Sequence, residues 1–373
     1  MAAIGSRLAQ VLAGLALAGQ PVNHEARAAD GPPAAGCQAS AALQFVCGAQ
    51  RPEDLAHVPR TKWLIVSGFQ DGAGLKLIDT EAMTLELWYQ ARPEQIHPDL
   101  ERFKNCPSPP DPARFNVQGI SLRRTREREY TLLATNHGGR ESVEVFTVGV
   151  ATGHPSLAWR GCVLLPEGVA ANSVASFSDG TILVTELTRR GTTIADFVSG
   201  MNTGAVYSLS PQARQFVLLP GTELPGNNGL ETSTDDREFY VVAFGWHAVV
   251  VYSRADTSKP VRVLTAPGFM PDNIHWDAGR LIAGGMQYDE PACGGLRKII
   301  DGQADGMSCH RGYAIGQLDA AAGRFDLIAY AEPDPLFNGV SGAVLVGDEL
   351  WLSSYQADRV AHRRLPWLSA ISR

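Results

Sequence analysis

Along the chain, short apolar or alternating runs recur between clusters of Gly, Asp and Asn, the signature of β-strands joined by tight turns. Six segments repeat one order: a polar opener, a short strand, a polar turn and a more apolar strand. They are "PEDLAHVPRTKWLIVSGF", "VQGISLRRTREREYTLLATNH", "ANSVASFSDGTILVTE", "NNGLETSTDDREFYVVAFGW", "PDNIHWDAGRLIAGGM" and "FNGVSGAVLVGDELWLSSY". Most lead into a third strand, such as "SVEVFTVG", "GAVYSLS", "AVVVYSR", "YAIGQLD" or "RVAHRRL". The openers Glu53, Gln118, Asn172, Asn228, Asp272 and Asn338 are 65, 54, 56, 44 and 66 residues apart. Repeats of this size, each a three- or four-stranded antiparallel sheet, predict an all-β chain folded as a six-bladed β-propeller. A β-sandwich has no reason to repeat one polar opener six times.

The inner strand of each blade lines a propeller's channel, so equivalent openers meet on one axis. Glu53, Asn172, Asn228, Asp272 and Asn273 then form a ring of oxygen donors, with no Lys or Arg among the openers to neutralise them. Buried carboxylates need a partner or a metal. Two carboxylates and three amides, without Cys or His, suit a hard cation taking six to eight oxygens, and calcium better than the smaller, strictly octahedral magnesium. The expectation is therefore a central metal site. The alternative for any one of these residues is an ordinary turn former.

Composition narrows the setting. The chain has 373 residues, 45% hydrophobic and 19% charged, with 38 Gly and 23 Pro, which is turn-rich and globular. Arg7, the apolar run Leu8 to Gly19 and "ARA" at Ala26 to Ala28 read as a cleaved signal peptide over 1–28. A lead-in segment over 29–50 and the propeller over 51–373 follow. Without Arg7, Glu25 and Arg27 the net charge moves from −7 to −8. An acidic surface argues against nucleic acid and anionic membranes. No transmembrane segment is expected after signal removal, which makes the protein periplasmic or secreted. Nothing in the sequence sets its oligomeric state.

Six cysteines in an exported chain point to disulfides, with fifteen pairings open. Cys293 with Cys309, which close the loop between them, is the favoured pair; Cys37 with Cys47 and Cys106 with Cys162 are further candidates, and free buried thiols are the alternative.

The quoted stretches carry a family resemblance. "PEDL" at Pro52 to Leu55, "GISL" at Gly119 to Leu122, "NHGGRESVEVF" at Asn136 to Phe146, "NS" at Asn172, "NNGLETSTDDREFYVVAF" from Asn227 and "DNI" at Asp272 to Ile274 resemble the calcium-dependent paraoxonase/arylesterase family. More distantly they resemble senescence-marker/gluconolactonase and strictosidine synthase-like propellers. The resemblance implies that Glu53, Asn172, Asn228, Asp272 and Asn273 hold a catalytic calcium. It implies a second, structural calcium on Asp54, the carbonyl of Ile120 and an Asp that is Ser173 here, a departure that weakens the second site. Of the family's two channel histidines, one matches His137 and the other falls on Gln118, so a His–His relay is absent. The family's terminus-closing disulfide is absent too, since no Cys follows Cys309.

The tips joining second and third strands surround the metal face. They carry Phe69, His137, Trp246, Met286 and Tyr355, and with Gln118 these form the expected substrate pocket, an apolar one that favours a small hydrophobic substrate over a sugar. Each aromatic has the alternative of capping blade packing. Longer tips, Leu187 to Gly204 and Gln287 to Gly312, are candidate lids. A calcium with an open position polarises a carbonyl, and Glu53, Asp272 or His137 takes a proton from water. Neither a G-x-S-x-G elbow nor an H-E-x-x-H motif is present. His247 and His275 are left as structural residues. The expected function is calcium-dependent hydrolysis of a hydrophobic ester or lactone. The rivals are another reaction at the same metal (phosphotriester hydrolysis, isomerisation or lyase chemistry) and a non-catalytic binding propeller with structural calcium.

Overall fold

In the computed structural model, which describes residues 37–151, 153–304 and 309–365, six four-stranded antiparallel sheets succeed one another as blades. From inside outward, blade one is Leu55–His57, Trp63–Val66, Lys76–Asp79 and Thr84–Leu87. Blade two is Val117–Arg126, Glu129–Asn136, Ser142–Gly149 and Ser156–Leu164. Blade three is Val174–Ser176, Ile182–Glu186, Ala205–Leu209 and Val217–Leu218, and blade four is Asn227–Thr232, Glu238–Ala243, Ala248–Ser253 and Arg262–Thr265. Blade five is Phe269–Asp277, Arg280–Gln287, Tyr313–Asp319 and Arg324–Tyr330. Blade six is Val340–Val346, Glu349–Ser354 and Arg359–Arg364, completed by Gln44–Cys47 from the start of the chain. The lead-in expected over 29–50 thus contains a strand of the propeller itself. The proposed signal peptide lies outside the described residues.

Why the middle strands read as continuous apolar runs is now plain: both of their faces are buried. In blade four, Val241 and Ala243 pack with Leu183 and Val206 of blade three, while Tyr240 and Val242 pack with Leu281 and Ala283 of blade five. The period-2 alternation of a strand serves both neighbours at once. One apolar cluster fills each of the six gaps between blades. The gap between blades six and one holds Val46, Leu64, Ile78, Trp351 and Val360, so the chain's first strand is packed into the closure.

The cysteines pair as Cys293–Cys309, the favoured pair, and as Cys37–Cys47 and Cys106–Cys162, the two further candidates. Among the described residues no helix is long and apolar enough to cross a membrane. The α-helix Ile194–Val198 caps one of the long tips, its start set by reciprocal bonds between Thr193 and Asp196.

Deleting residues 1–48 removes the closing strand and the Cys37–Cys47 bond together. The expected outcome is a loss of at least about 3 kcal/mol of stability and a broader thermal transition, measured by scanning calorimetry.

Candidate metal centre

How can Asp272 and Asn273, adjacent on one strand, both face the axis? Consecutive side chains of a regular strand point to opposite faces. Here the pairing slips: Pro271 faces Gly285 and Ile274 faces Ala283, so the inner strand holds one extra residue. Blade four slips identically between Asn227 and Leu230, and blade two between Val117 and Ile120. A β-bulge re-aims the side chains beside it. It stands at the mouth of the inner strand in each of these blades, where Gln118, Asn228, Asp272 and Asn273 lie.

Glycine lets the bulged strands approach one another. A Cβ on Gly229 would sit 2.3 Å from the carbonyl oxygen of Asp272, and one on Gly119 would sit 2.6 Å from that of Asn172. Hydroxyls then tie the hub. Ser67 and Thr135 accept from the backbone N–H of Asp54 (2.8 Å) and Gly119 (2.9 Å). Thr185 accepts from Ser173 N–H at 3.1 Å and donates to the Asn228 carbonyl at 2.7 Å. Ser341 and Ser353 both donate to the Glu53 carbonyl, at 2.5 and 3.1 Å. Asn273 reaches the same carbonyl with its Nδ2 at 3.2 Å, joining blade five to blade one. These hydroxyls escaped the sequence reading, although "VSG", "ATN", "VTE" and "LSS" repeat one at the end of the second strand.

The five expected donors are all placed at this hub, and all five are buried: Glu53 2%, Asn172 4%, Asn228 5%, Asp272 5% and Asn273 1% exposed. Each keeps one buried oxygen without a hydrogen-bond partner: Oε2 of Glu53 and Oδ1 of Asn172, Asn228, Asp272 and Asn273. Such orphaned acceptors are rare, at about 1–3 kcal/mol each. Glu53 is held well above the usual carboxylate range by burial, then by the charges of Asp272 and Asp54. Asp272 is pushed up to about 8, chiefly by burial, against the pull of a bond from the Asn228 side chain. Both shifts have burial as their first cause, and a neighbouring carboxylate adds to each. No group of three His, Cys, Asp or Glu gathers among the described residues, so a soft or nitrogen-loving metal has no ligand set. Two carboxylates and three amide oxygens fit a hard divalent ion.

Beside the ring, His137 is held from both sides. Nδ1 lies 2.8 Å from Oε2 of Glu141 and Nε2 lies 3.1 Å from Oε1 of Gln118, with the Phe69 ring edge-on at 5.7 Å. Glu141 accepts from Nδ1–H, which leaves Nε2 the basic nitrogen. A protonated His137 donates to Gln118 Oε1; a neutral one takes a bond from the same amide turned over. Glu141 was legible only as part of "NHGGRES".

Of the expected pocket residues, Met286 and Tyr355 come together and Trp246 does not. Met286 packs with Phe197, Phe244 and Met270, and Tyr355 lies against that cluster, its hydroxyl 3.9 Å from Met286 Sδ. Burial pushes the Tyr355 phenol up to about 12, and the nearby charge of Asp272 adds to it. Trp246 stays outside, 43% exposed, ahead of His247 in the left-handed region. Both candidate lids reach the cluster: Phe197 stacks edge-on against Phe244 at 5.7 Å, and the Arg297 guanidinium lies over Phe244 at 5.0 Å.

Neither a family model nor a curated protein matches this chain. Solved structures do. A candidate gluconolactonase aligns at 14% identity with a TM-score of 0.50, covering 87% of this chain and 92% of its own. A gluconolactonase of Xanthomonas campestris aligns at 14% identity with a TM-score of 0.49, over 87% of this chain and 89% of its own. Regucalcin, a calcium-binding protein of Agrobacterium tumefaciens, gives 13% identity and a TM-score of 0.47, over 86% and 92%. At such identities the likeness establishes the β-propeller fold alone.

The donor set makes a stability prediction. Calcium added to chelator-treated protein should raise its melting temperature, and Asp272→Asn should abolish most of that rise. Without calcium the variant should melt above the wild type near neutral pH, because burying Asp272 requires it to take up a proton and burying an Asn does not; scanning fluorimetry reads both.

Proposed function

We propose that the hub holds a calcium ion and that the chain hydrolyses a lactone or ester with a hydrophobic body at that face. The observation that carries this is the set of five buried oxygens, from four blades, that have no hydrogen-bond partner. A bound calcium supplies Lewis-acid polarisation of a carbonyl oxygen. Glu53, Asn172, Asn228, Asp272 and Asn273 hold it. Glu53 and Asp272 are committed as donors, so the proton of the attacking water goes to Nε2 of His137, oriented through Nδ1 by Glu141. Gln118 follows His137 through its change of charge. Phe69 and the cluster of Phe244, Met270, Met286 and Tyr355 support an apolar substrate body and exclude water from the site.

The paraoxonase-like sequence motifs support the ester and lactone chemistry, and export to the periplasm or beyond is supported by the three disulfides.

Turnover of a panel of aryl esters and lactones should vanish on chelation and return with calcium. His137→Gln should lower kcat by about 10²–10³ with KM little changed, whereas the ion content stays at the wild-type value. Product analysis of the same panel, extended to phosphotriesters, separates hydrolysis of carboxyl esters from phosphotriester, lyase or isomerase chemistry. Chelator-resistant turnover overturns the reading.

A further inference from the structure

Next to the donor ring lies a third acidic residue, Asp54, fully buried. By family resemblance it would join the carbonyl of Ile120 around a second ion. The structure arranges these groups otherwise. Ile120 meets Asp54 through its N–H, 2.9 Å from Oδ2. Oδ1 takes the N–H of Leu55 at 2.8 Å and Nε2 of His275 at 2.7 Å. Three donors from blades one, two and five therefore cover both carboxylate oxygens. The other ring nitrogen of His275, Nδ1, stands 3.8 Å from Oε2 of Glu231 on blade four. The imidazole, 6% exposed, lies between two acidic groups that would otherwise face each other across the channel. Ser173, where the family has an Asp, contributes no charge.

We infer that His275 is a built-in substitute for a second bound cation, so that the hub takes one divalent ion and not two. Its ring does what a structural ion would do: it bridges carboxylates from separate blades and pins the inner strands of blades one and five at the level where Glu53, Asp272 and Asn273 are set. An ion entering at Asp54 would have to displace the imidazole and break a 2.7 Å hydrogen bond. The bulge just above explains why His275 points inward: after the extra residue, the regular alternation resumes at Ile274, which packs outward with blade four while His275 faces the axis.

The first ion of this count is that of the function proposed above, and the experiment keeps the two apart. The oxidised full chain, equilibrated with calcium and freed of excess, is measured for bound calcium by mass spectrometry and titrated by calorimetry. One ion per wild-type chain is expected. His275→Ala, which bares Asp54 and Glu231, should bind a second calcium more weakly. Its melting temperature should go on rising by several degrees at calcium concentrations where the wild type no longer responds. His275→Gln, which keeps an N–H for Asp54, should bind one. Two ions on the wild type overturn the inference whether or not the variants fold. A folded His275→Ala chain that shows the wild-type count and calcium response overturns it as well. A wild type without any ion refutes the proposed metal centre, yet the gain of an ion by His275→Ala alone would still support the substitution.

Discussion

Everything at the hub follows from oxygen meeting oxygen. Six inner strands can crowd one axis only if the backbones come within van der Waals reach, and this chain does so with glycines at 119 and 229. The side chains just before those glycines, Gln118 and Asn228, both carry oxygen. Hydroxyls resolve part of the conflict by donating to carbonyls; amides resolve another part. The residue is a group of carboxylate and amide oxygens that protein donors leave uncovered. Their desolvation, not any single bond, is what drives Glu53 and Asp272 upward. The neighbouring acid Asp54 is met differently, by backbone N–H groups and the imidazole of His275.

Positioning rests on an irregularity. Regular strands would send half of the donors into the gaps between blades, among Val, Leu and Phe. One extra residue at the same height in blades two, four and five turns the mouths of those strands inward while leaving the rest in register for packing. The sheet therefore supplies rigidity and the bulge supplies aim. His137 is treated differently. It stands beyond the end of a second strand, and its orientation comes from side chains, Glu141 and Gln118, on either side of the ring.

Much of this was readable in the chain. Strand alternation and the six spaced openers carried the architecture, because propeller blades repeat a local pattern with local consequences. The burial of Glu53, Asn172, Asn228, Asp272 and Asn273 was readable for the same reason: equivalence of position becomes proximity on an axis. What resisted reading was everything set by contact between distant segments. Phe197, Phe244 and Met270 look like any core residues in sequence, and only the folding-over of two long tips brings them together at the mouth. Trp246 matched the pattern of a rim aromatic, but a tight turn carries it past the cluster to solvent. His275 was set aside as structural, which it is; that it bridges blades one and four required the axis to be built first.

The outer edge of the last blade is made by Gln44–Cys47, which precede blade one in the chain. The ring is consequently a clasp, fastened by segments that lie on either side of the other five blades in sequence. A nascent chain has blades one to five complete while the sixth lacks its third strand, and Val46 has no groove to enter until Val360 arrives. Closure joins residues more than three hundred positions apart, and the loop entropy it must overcome grows only slowly with that distance. Unfastening this one edge would therefore release the two most distant parts of the propeller from each other at once.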